Sequence, residues 1–212
     1  MEVYGTKPKR FTKEWWEYFW DYYKLHTIAT ILVLTAVIST LVECAHRKDY
    51  DLQLDFISEN PITTDAASKL TSLLENNIAD VTENGKTEAF VTYIDMGEHS
   101  DPQYTQAMYT KFSVEIGYTE SFVFLLSKKY ADTVSEAGAL EEAKNWCSAE
   151  SYNGYCVSLS GCEYLEDLGI DTTDLYVGVI KMRERDKEAD RIKNLPKQEN
   201  GIRFARFLIN EE

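Results

Sequence analysis

The chain has 212 residues and a formal net charge of −14, with 36 Asp and Glu against 22 Lys and Arg. A chain this acidic repels phosphate, and it contains no glycine-rich phosphate-binding motif, so we expect no nucleic-acid partner. The acidic residues concentrate late in the chain. Residues 1–48 carry seven Lys and Arg against five Asp and Glu, whereas residues 49–212 carry fifteen against thirty-one.

The N-terminal part contains an apolar stretch that predicts a membrane-spanning helix. From Leu25 to Val42 there are 18 residues without Asp, Glu, Lys or Arg, which is enough to cross a thin hydrocarbon core. The alternative is the buried helix of a soluble domain, but such a helix usually keeps a polar stripe. We therefore expect a single uncleaved signal-anchor helix in the plasma membrane over residues 25–43, followed by an extracytoplasmic domain over residues 49–212.

Residues 1–24 predict a cytoplasmic or interfacial segment with an amphipathic, aromatic helix. Trp and Tyr rings favour the headgroup level of a membrane, although packing on a protein is the alternative. More Lys and Arg residues precede the apolar stretch than follow it, which places the N-terminus in the cytoplasm. We expect membrane lipid to contact Trp15, Trp16, Phe19, Trp20, Tyr22 and Tyr23.

Beyond residue 48 the pattern alternates between strand and helix. Alternating apolar residues or buried apolar runs indicate strands, and apolar residues spaced by three and four indicate helices. Strands are predicted at 50–58, 88–95, 120–127, 155–159 and 174–182. Helices are predicted at 63–81 (with Thr63 or Thr64 as N-cap), 102–117, 128–143 (as one or two short helices), 184–194 and, after Pro196, near the C-terminus. This order predicts an α/β domain with a doubly wound, largely parallel sheet.

Three stretches of the outer domain resemble parts of bacterial extracellular solute-binding proteins. They are "ESFVFLLSKKYADTVSEAGALEEA" (120–143), "DLYVGVIKM" (174–182) and the closing helix. The resemblance implies one α/β lobe outside the membrane. That family has two lobes that close on a ligand, whereas this domain has the length of one.

The segment "YIDMGEHSDPQY" (93–104) holds the densest group of chemically active side chains. Carboxylates and an imidazole after a strand can bind a cation or exchange protons. The same residues also suit a solvated turn, with Asp101 as the N-cap of the next helix. We assign no metal, cofactor or catalytic residue, and we treat Asp95, Glu98, His99 and Asp101 as candidate ligand-binding residues.

Further candidates for a pocket are Ser127, at the end of a buried strand, and Tyr152 and Tyr155, in a loop rich in Tyr, Ser and Gly. Tyr side chains in such loops often form binding surfaces. The same region contains Cys147, Cys156 and Cys162, which are disulfide candidates in an oxidising compartment. Three unpaired buried thiols are the alternative.

The sequence predicts a non-catalytic interaction or accessory module of a bacterial cell envelope, with membrane lipid and a protein as partners. The absence of an N-x-S/T sequon fits a bacterial surface. The alternative is a ligand-sensing or solute-binding domain for a small molecule. A surface hydrolase would have to use His99, the only His of the outer domain, and no G-x-S-x-G motif accompanies it.

Overall fold

A computed structural model describes residues 10–45, 48–99, 101–118, 121–182 and 187–211. The chain divides into two compact units, residues 1–48 and residues 49–212. The early basic residues Lys7 and Lys9 and the start of the predicted 184–194 helix lie outside the described residues.

The described part of the first unit is dominated by one long helix, α1 (Lys13–Ala45). The aromatic and apolar segments, which we predicted separately, therefore form one continuous helix. Residues 23–42 make it long and apolar enough to span a membrane, and their apolar side chains are exposed along the whole length. The hydroxyls of Thr30, Thr35 and Thr40 each donate to the carbonyl four residues earlier, which satisfies them inside the helix.

The second unit is built on a five-stranded mixed sheet in the order β2-β1-β3-β5-β4. The strands are β1 (Leu52–Ser58), β2 (Ala89–Asp95), β3 (Val123–Ser127), β4 (Val157–Ser158) and β5 (Leu175–Val179). β1 is parallel to both β2 and β3, and β5 is antiparallel to both β3 and β4. The sheet is therefore mostly parallel, as predicted, with β5 as the reversed strand.

Helices cover both faces of this sheet. They are α2 (Thr64–Asn77), α3 (Pro102–Tyr118), α4 (Lys128–Glu136), α5 (Glu163–Glu166) and α6 (Glu188–Leu208), with a 3-10 turn at Ala143–Asn145. Alternate strand residues supply two separate apolar clusters. The larger cluster includes side chains of α2 and α6 together with buried Trp146, and the smaller includes side chains of α3 and α4.

Local sequence explains α2 well. Its N-cap is Thr63, whose side-chain oxygen accepts a hydrogen bond from the Ala66 amide at 3.1 Å, so the predicted cap is confirmed. Leu70 and Leu74 are fully buried and Ala66 nearly so, as their spacing of four residues requires for one face of a helix.

Helix α6 differs from the prediction, because it continues through Pro196 instead of restarting after it. Ile192 and Leu195 before the proline are exposed, whereas Phe204 and Leu208 are buried in the core. Pro removes one backbone donor from a helix interior. Here it falls near the point where the helix passes from solvent onto the sheet.

A buried carboxylate holds the connection between α2 and β2. Asp51 is fully buried, and its two carboxylate oxygens accept hydrogen bonds from the amides of Val81, Thr82 and Glu88, each at 2.8 Å. Burial acts to raise the pKa of Asp51, but these backbone hydrogen bonds outweigh it and lower the pKa below its ordinary value. The Asn200 side chain of α6 also donates to the Asp51 carbonyl, at 3.2 Å.

Candidate functional site

The candidate site lies at the edge where the parallel strands β1, β2 and β3 end. Their last residues are Ser58, Asp95 and Ser127, and Ser58 is in register with Asp95. The loops that follow these strands enclose two open clefts of about 670 and 600 Å³. The carboxyl edge of an open α/β sheet is the usual place for a ligand.

We call the larger one the Asp95 cleft. Residues after β1 and β2 line it, together with the N-terminal half of α3 and the start of α4. Three of the four residues predicted from the 93–104 segment contribute to it. Its main polar and apolar lining residues are Glu59, Asp95, Glu98, His99, Met108 and Lys129.

Asp95 and His99 form a polar pair in this cleft. His99 Nε2 lies 3.1 Å from Asp95 Oδ2, and Asp95 Oδ1 accepts from the Gly97 amide at 3.0 Å. The His99 ring also packs edge-on against Tyr104, with 4.6 Å between centroids. A Cβ at position 97 would lie only 2.9 Å from the Glu59 carbonyl oxygen, so this turn needs glycine. The arrangement fixes the imidazole and leaves it partly open to solvent.

Asp101 takes the structural role that we considered for it. Its side chain accepts from the Gln103 amide at 2.8 Å and its carbonyl accepts from the Thr105 amide at 3.2 Å, at the start of α3. Asp101 is not among the residues that line either cleft. Among the described residues, no three His, Cys, Asp or Glu side chains are arranged to hold a metal ion.

The smaller one is the Ser127 cleft, between the ends of β1 and β3. Ser127 is the N-cap residue of α4, but its side chain makes no capping hydrogen bond, and its Oγ is buried without a partner. The other charged and hydroxyl-bearing lining residues are Ser58, Glu59, Lys128, Lys129, Asp132, Asp171, Thr173 and Asp174. The cleft therefore offers both carboxylates and ammonium groups.

An ion pair between Glu59 and Lys129 lines both clefts. Lys129 Nζ lies 2.9 Å from Glu59 Oε1, and this hydrogen bond is the main cause that raises the Lys129 pKa. Both side chains are about half exposed, so the pair contributes little stability. We did not predict either residue. Glu59 directly follows one predicted strand and Lys129 is the second residue after another, and these positions were the available signal.

Tyr152 and Tyr155 are not among the residues that line the two clefts. The Tyr152 hydroxyl donates to Asp132 at 3.3 Å, and Lys128 Nζ lies 5.5 Å from the centre of its ring. Both tyrosines pack on the smaller apolar cluster. Tyr152 thus contacts both Lys128 and Asp132, whereas the binding role predicted for the two tyrosines stays a prediction.

Cys147, Cys156 and Cys162 of the second unit are free and buried. Cys147 and Cys162 belong to the larger apolar cluster and Cys156 to the smaller, so the sheet lies between Cys156 and the other two. Burial raises the pKa of all three thiols, that of Cys156 to about 12. No disulfide joins them in this structure, which matches the alternative of three unpaired thiols. They carry little thiolate at neutral pH and are poor nucleophiles.

Comparison with protein-family models, with curated proteins and with solved structures finds no match to this chain. The features that bear on function are therefore the apolar helix α1, the charge distribution and the two clefts. The clefts together contain six carboxylates against two lysines and one histidine. This lining suits a ligand that carries a positive charge, or charges of both signs, better than an apolar one.

Proposed function

We propose that this protein is a membrane-anchored interaction module of a bacterial cell envelope, without a catalytic role of its own. The observation that carries the proposal is the apolar segment 23–42 of α1, whose described side chains remain exposed while a separate compact unit follows it. Exposed apolar side chains over this length are unfavourable in water and favourable in lipid. The proposal makes residues 25–43 the single membrane span and the outer domain an extracytoplasmic platform for a protein partner.

The length of α1 supports this placement. A helix of 33 residues is about 50 Å long, compared with about 40–45 Å for a bilayer that includes its headgroup regions. The aromatic residues before the span then fall at the headgroup level. Trp15, Phe19 and Tyr23 stack along one side at 5.4 and 5.6 Å, and Trp16 and Trp20 are more than half exposed. Tyr22 belongs to the same helix. Such rings are favoured contacts for membrane lipid.

Charge supports the orientation with the N-terminus in the cytoplasm. Before residue 25 the chain carries five Lys and Arg residues, and only Arg47 and Lys48 follow the span closely. The strongly acidic part after residue 48 would then face the outside. This orientation agrees with the rule that Lys and Arg stay on the cytoplasmic side.

An impermeant maleimide tests the proposed sidedness. Ser68 of α2 and Lys13 of α1 are both exposed, so a single cysteine at either position should be reactive. In a Cys44→Ser background, we expect Ser68→Cys to be labelled in intact cells and Lys13→Cys only after permeabilisation. The three native cysteines of the outer domain should contribute little label because they are buried with raised pKa values.

The parent Cys44→Ser chain is the matched control, and it should give only background labelling in intact cells. Labelling of Lys13→Cys in intact cells, with Ser68→Cys protected until lysis, would reverse the orientation. Equal protection of both positions in intact cells would place the outer domain inside the cell and contradict the proposal.

The clefts favour a second candidate function, the binding or sensing of a small polar ligand. We infer a doubly wound connection, because α2 and α3 lead to and from β2 on opposite faces of the sheet. The direction in which the chain crosses the sheet then reverses between β1 and β3, and the Ser127 cleft lies at this topological switch point. The resemblance to one lobe of solute-binding proteins points the same way.

Thermal unfolding of the full chain in detergent, with pooled amino acids, peptides, sugars and divalent cations, tests this candidate. A ligand at one hundred times its Kd adds about 2.7 kcal/mol, which raises Tm by several degrees. Lys129→Met should abolish the shift, whereas Lys69→Met should keep it because Lys69 pairs with Asp65 away from the clefts. An unchanged Tm across the panel would remove this second candidate.

A further inference from the structure

Asp55 is a fully buried acid in the middle of β1 that neither the proposed anchor nor the clefts use. It lies two residues before Ile57 on the face of the sheet that α3 and α4 cover. Its Oδ1 accepts a hydrogen bond from the Ser121 hydroxyl at 2.8 Å, and its Oδ2 is buried without a hydrogen-bond partner. This surrounding accommodates a neutral carboxyl group far better than a carboxylate.

Polar and charged groups around Asp55 come from β2, from α3 and from Ser121, which precedes β3. Burial is the main cause that raises its pKa, and the negative charge of Glu115 on α3 adds to it. The hydroxyls of Ser121 and of Thr92 on β2, and the ammonium group of Lys111 on α3, oppose the rise, which leaves the pKa at about 7. Both charged groups that face Asp55 therefore belong to α3.

Helix α3 packs on the sheet with few buried side chains, and Lys111 Nζ donates to the Tyr93 carbonyl at 3.2 Å. Of its described side chains only Phe112 is buried, whereas Met108 and Ile116 are half-buried. Phe112 packs edge-on against Tyr130 of α4, with 5.3 Å between ring centroids. An element with so little buried apolar surface opens at a lower free energy than the core around it.

We propose that Asp55 is a pH-sensitive switch that sets how firmly α3 packs on the sheet. When Asp55 is protonated, its side chain places no charge beneath α3, and the helix stays docked on the sheet. Without the proton, a carboxylate lies in an apolar setting beside Glu115, and it gains hydration when α3 moves away. The Asp95 cleft responds as well, because Thr105, Met108 and Tyr109 of α3 form part of its wall.

The direction of the pH effect follows from linkage. When α3 is undocked, Asp55 is solvated and ionises near the ordinary value of 3.8; when α3 is docked, Asp55 ionises at about 7. Between these two values the undocked form has lost the proton that the docked form keeps. The equilibrium constant for docking of α3 is therefore largest below about pH 4. It falls about tenfold for each pH unit above that value and levels off above about pH 7.

Hydrogen exchange of the full chain in detergent tests the switch, with exchange rates corrected for the intrinsic effect of pH. We expect the protection of α3 amides to fall about fiftyfold from pH 5 to pH 7 and to change little from pH 7 to pH 8. Amides of α2, on the other face of the sheet, should keep their protection. In Asp55→Asn, whose side chain is neutral at every pH, the protection of α3 amides should not change with pH. In Asp65→Asn, which alters an exposed acid, it should change with pH as in the native chain.

The switch would be overturned if the protection of α3 amides still depended on pH in Asp55→Asn, or did not depend on pH in the native chain. An equal pH dependence of the α2 amides would also overturn it. If Asp55→Asn does not fold, the carboxyl carbon shift of Asp55 in the native chain decides the matter by NMR. A midpoint near 7 supports the switch, and a midpoint near 4 overturns it.

Discussion

Replacing Asp51 with alanine should lower the free energy of unfolding of the domain at residues 49–212 by about 3–5 kcal/mol, since each amide left without its acceptor costs about 1–3 kcal/mol. The substitution leaves three backbone amides of the α2–β2 connection without their acceptors. It also removes a carboxylate that is fully buried. Urea unfolding of the full chain in detergent at pH 7, followed by Trp146 fluorescence in a chain whose α1 tryptophans are replaced by Phe, measures the loss.

Asp65→Ala in the same background is the matched control. Asp65 is an exposed acid of α2 whose ion pair with Lys69 is open to solvent, so its loss should cost less than about 1 kcal/mol. The cost of Asp51→Ala should also shrink as the pH falls through the lowered pKa of Asp51, because the native carboxylate then takes up a proton. Equal stability of the two variants at pH 7 would contradict the role given to Asp51.

The second large effect concerns α1. Replacing Leu32 and Leu34 with Arg should prevent stable insertion of the helix, because each Arg at the centre of a span costs about 2.5–3.5 kcal/mol. Both leucines lie in the middle of the apolar segment and are more than half exposed. Alkaline carbonate extraction of membranes should release the double-Arg chain into the supernatant.

Replacement of the same two residues with Ile keeps the segment apolar and should leave the chain in the membrane pellet. Urea unfolding of the outer domain should be the same in the Arg and Ile variants, because the domain is a separate unit of the structure. A double-Arg chain that stays in the pellet would show that α1 is not what holds the protein there.

The local elements of the outer domain were largely predictable, because they depend on residues close in sequence. The spacing of Leu70 and Leu74 and the hydroxyl of Thr63 determine α2, and both features are visible in the sequence. The reversal of β5 was not predictable. Its residues are buried on both faces, as in a parallel strand, and strand direction depends on the distant connection rather than on the strand itself.

Two buried aspartates, Asp51 just before β1 and Asp55 within it, show a further limit. The alternation in "YDLQLDFIS" suggests polar residues on a solvated face, whereas helices cover both faces here. Asp51 then receives three amide donors and has a lowered pKa, and Asp55 receives one hydroxyl donor at 2.8 Å and has a pKa of about 7. These opposite pKa shifts depend on hydrogen-bond donors 30 or more positions away in the chain. The local sequence pattern carries no information about such distant partners.

The candidate site was predictable in part for the same reason. Asp95 and His99 meet because one turn carries both. Glu59 and Lys129 are 70 positions apart, and they meet because β1 and β3 are adjacent parallel strands. Strand adjacency was the missing information, although both residues lie within two positions of the end of a strand that the sequence did predict.

The most direct test of the central claim is carbonate extraction of membranes from cells that produce the native chain. Membrane anchoring by α1 predicts that the protein remains in the pellet under alkaline carbonate and leaves it only with detergent. A native chain that appears in the carbonate supernatant would contradict the anchor, and with it the proposed placement of the outer domain.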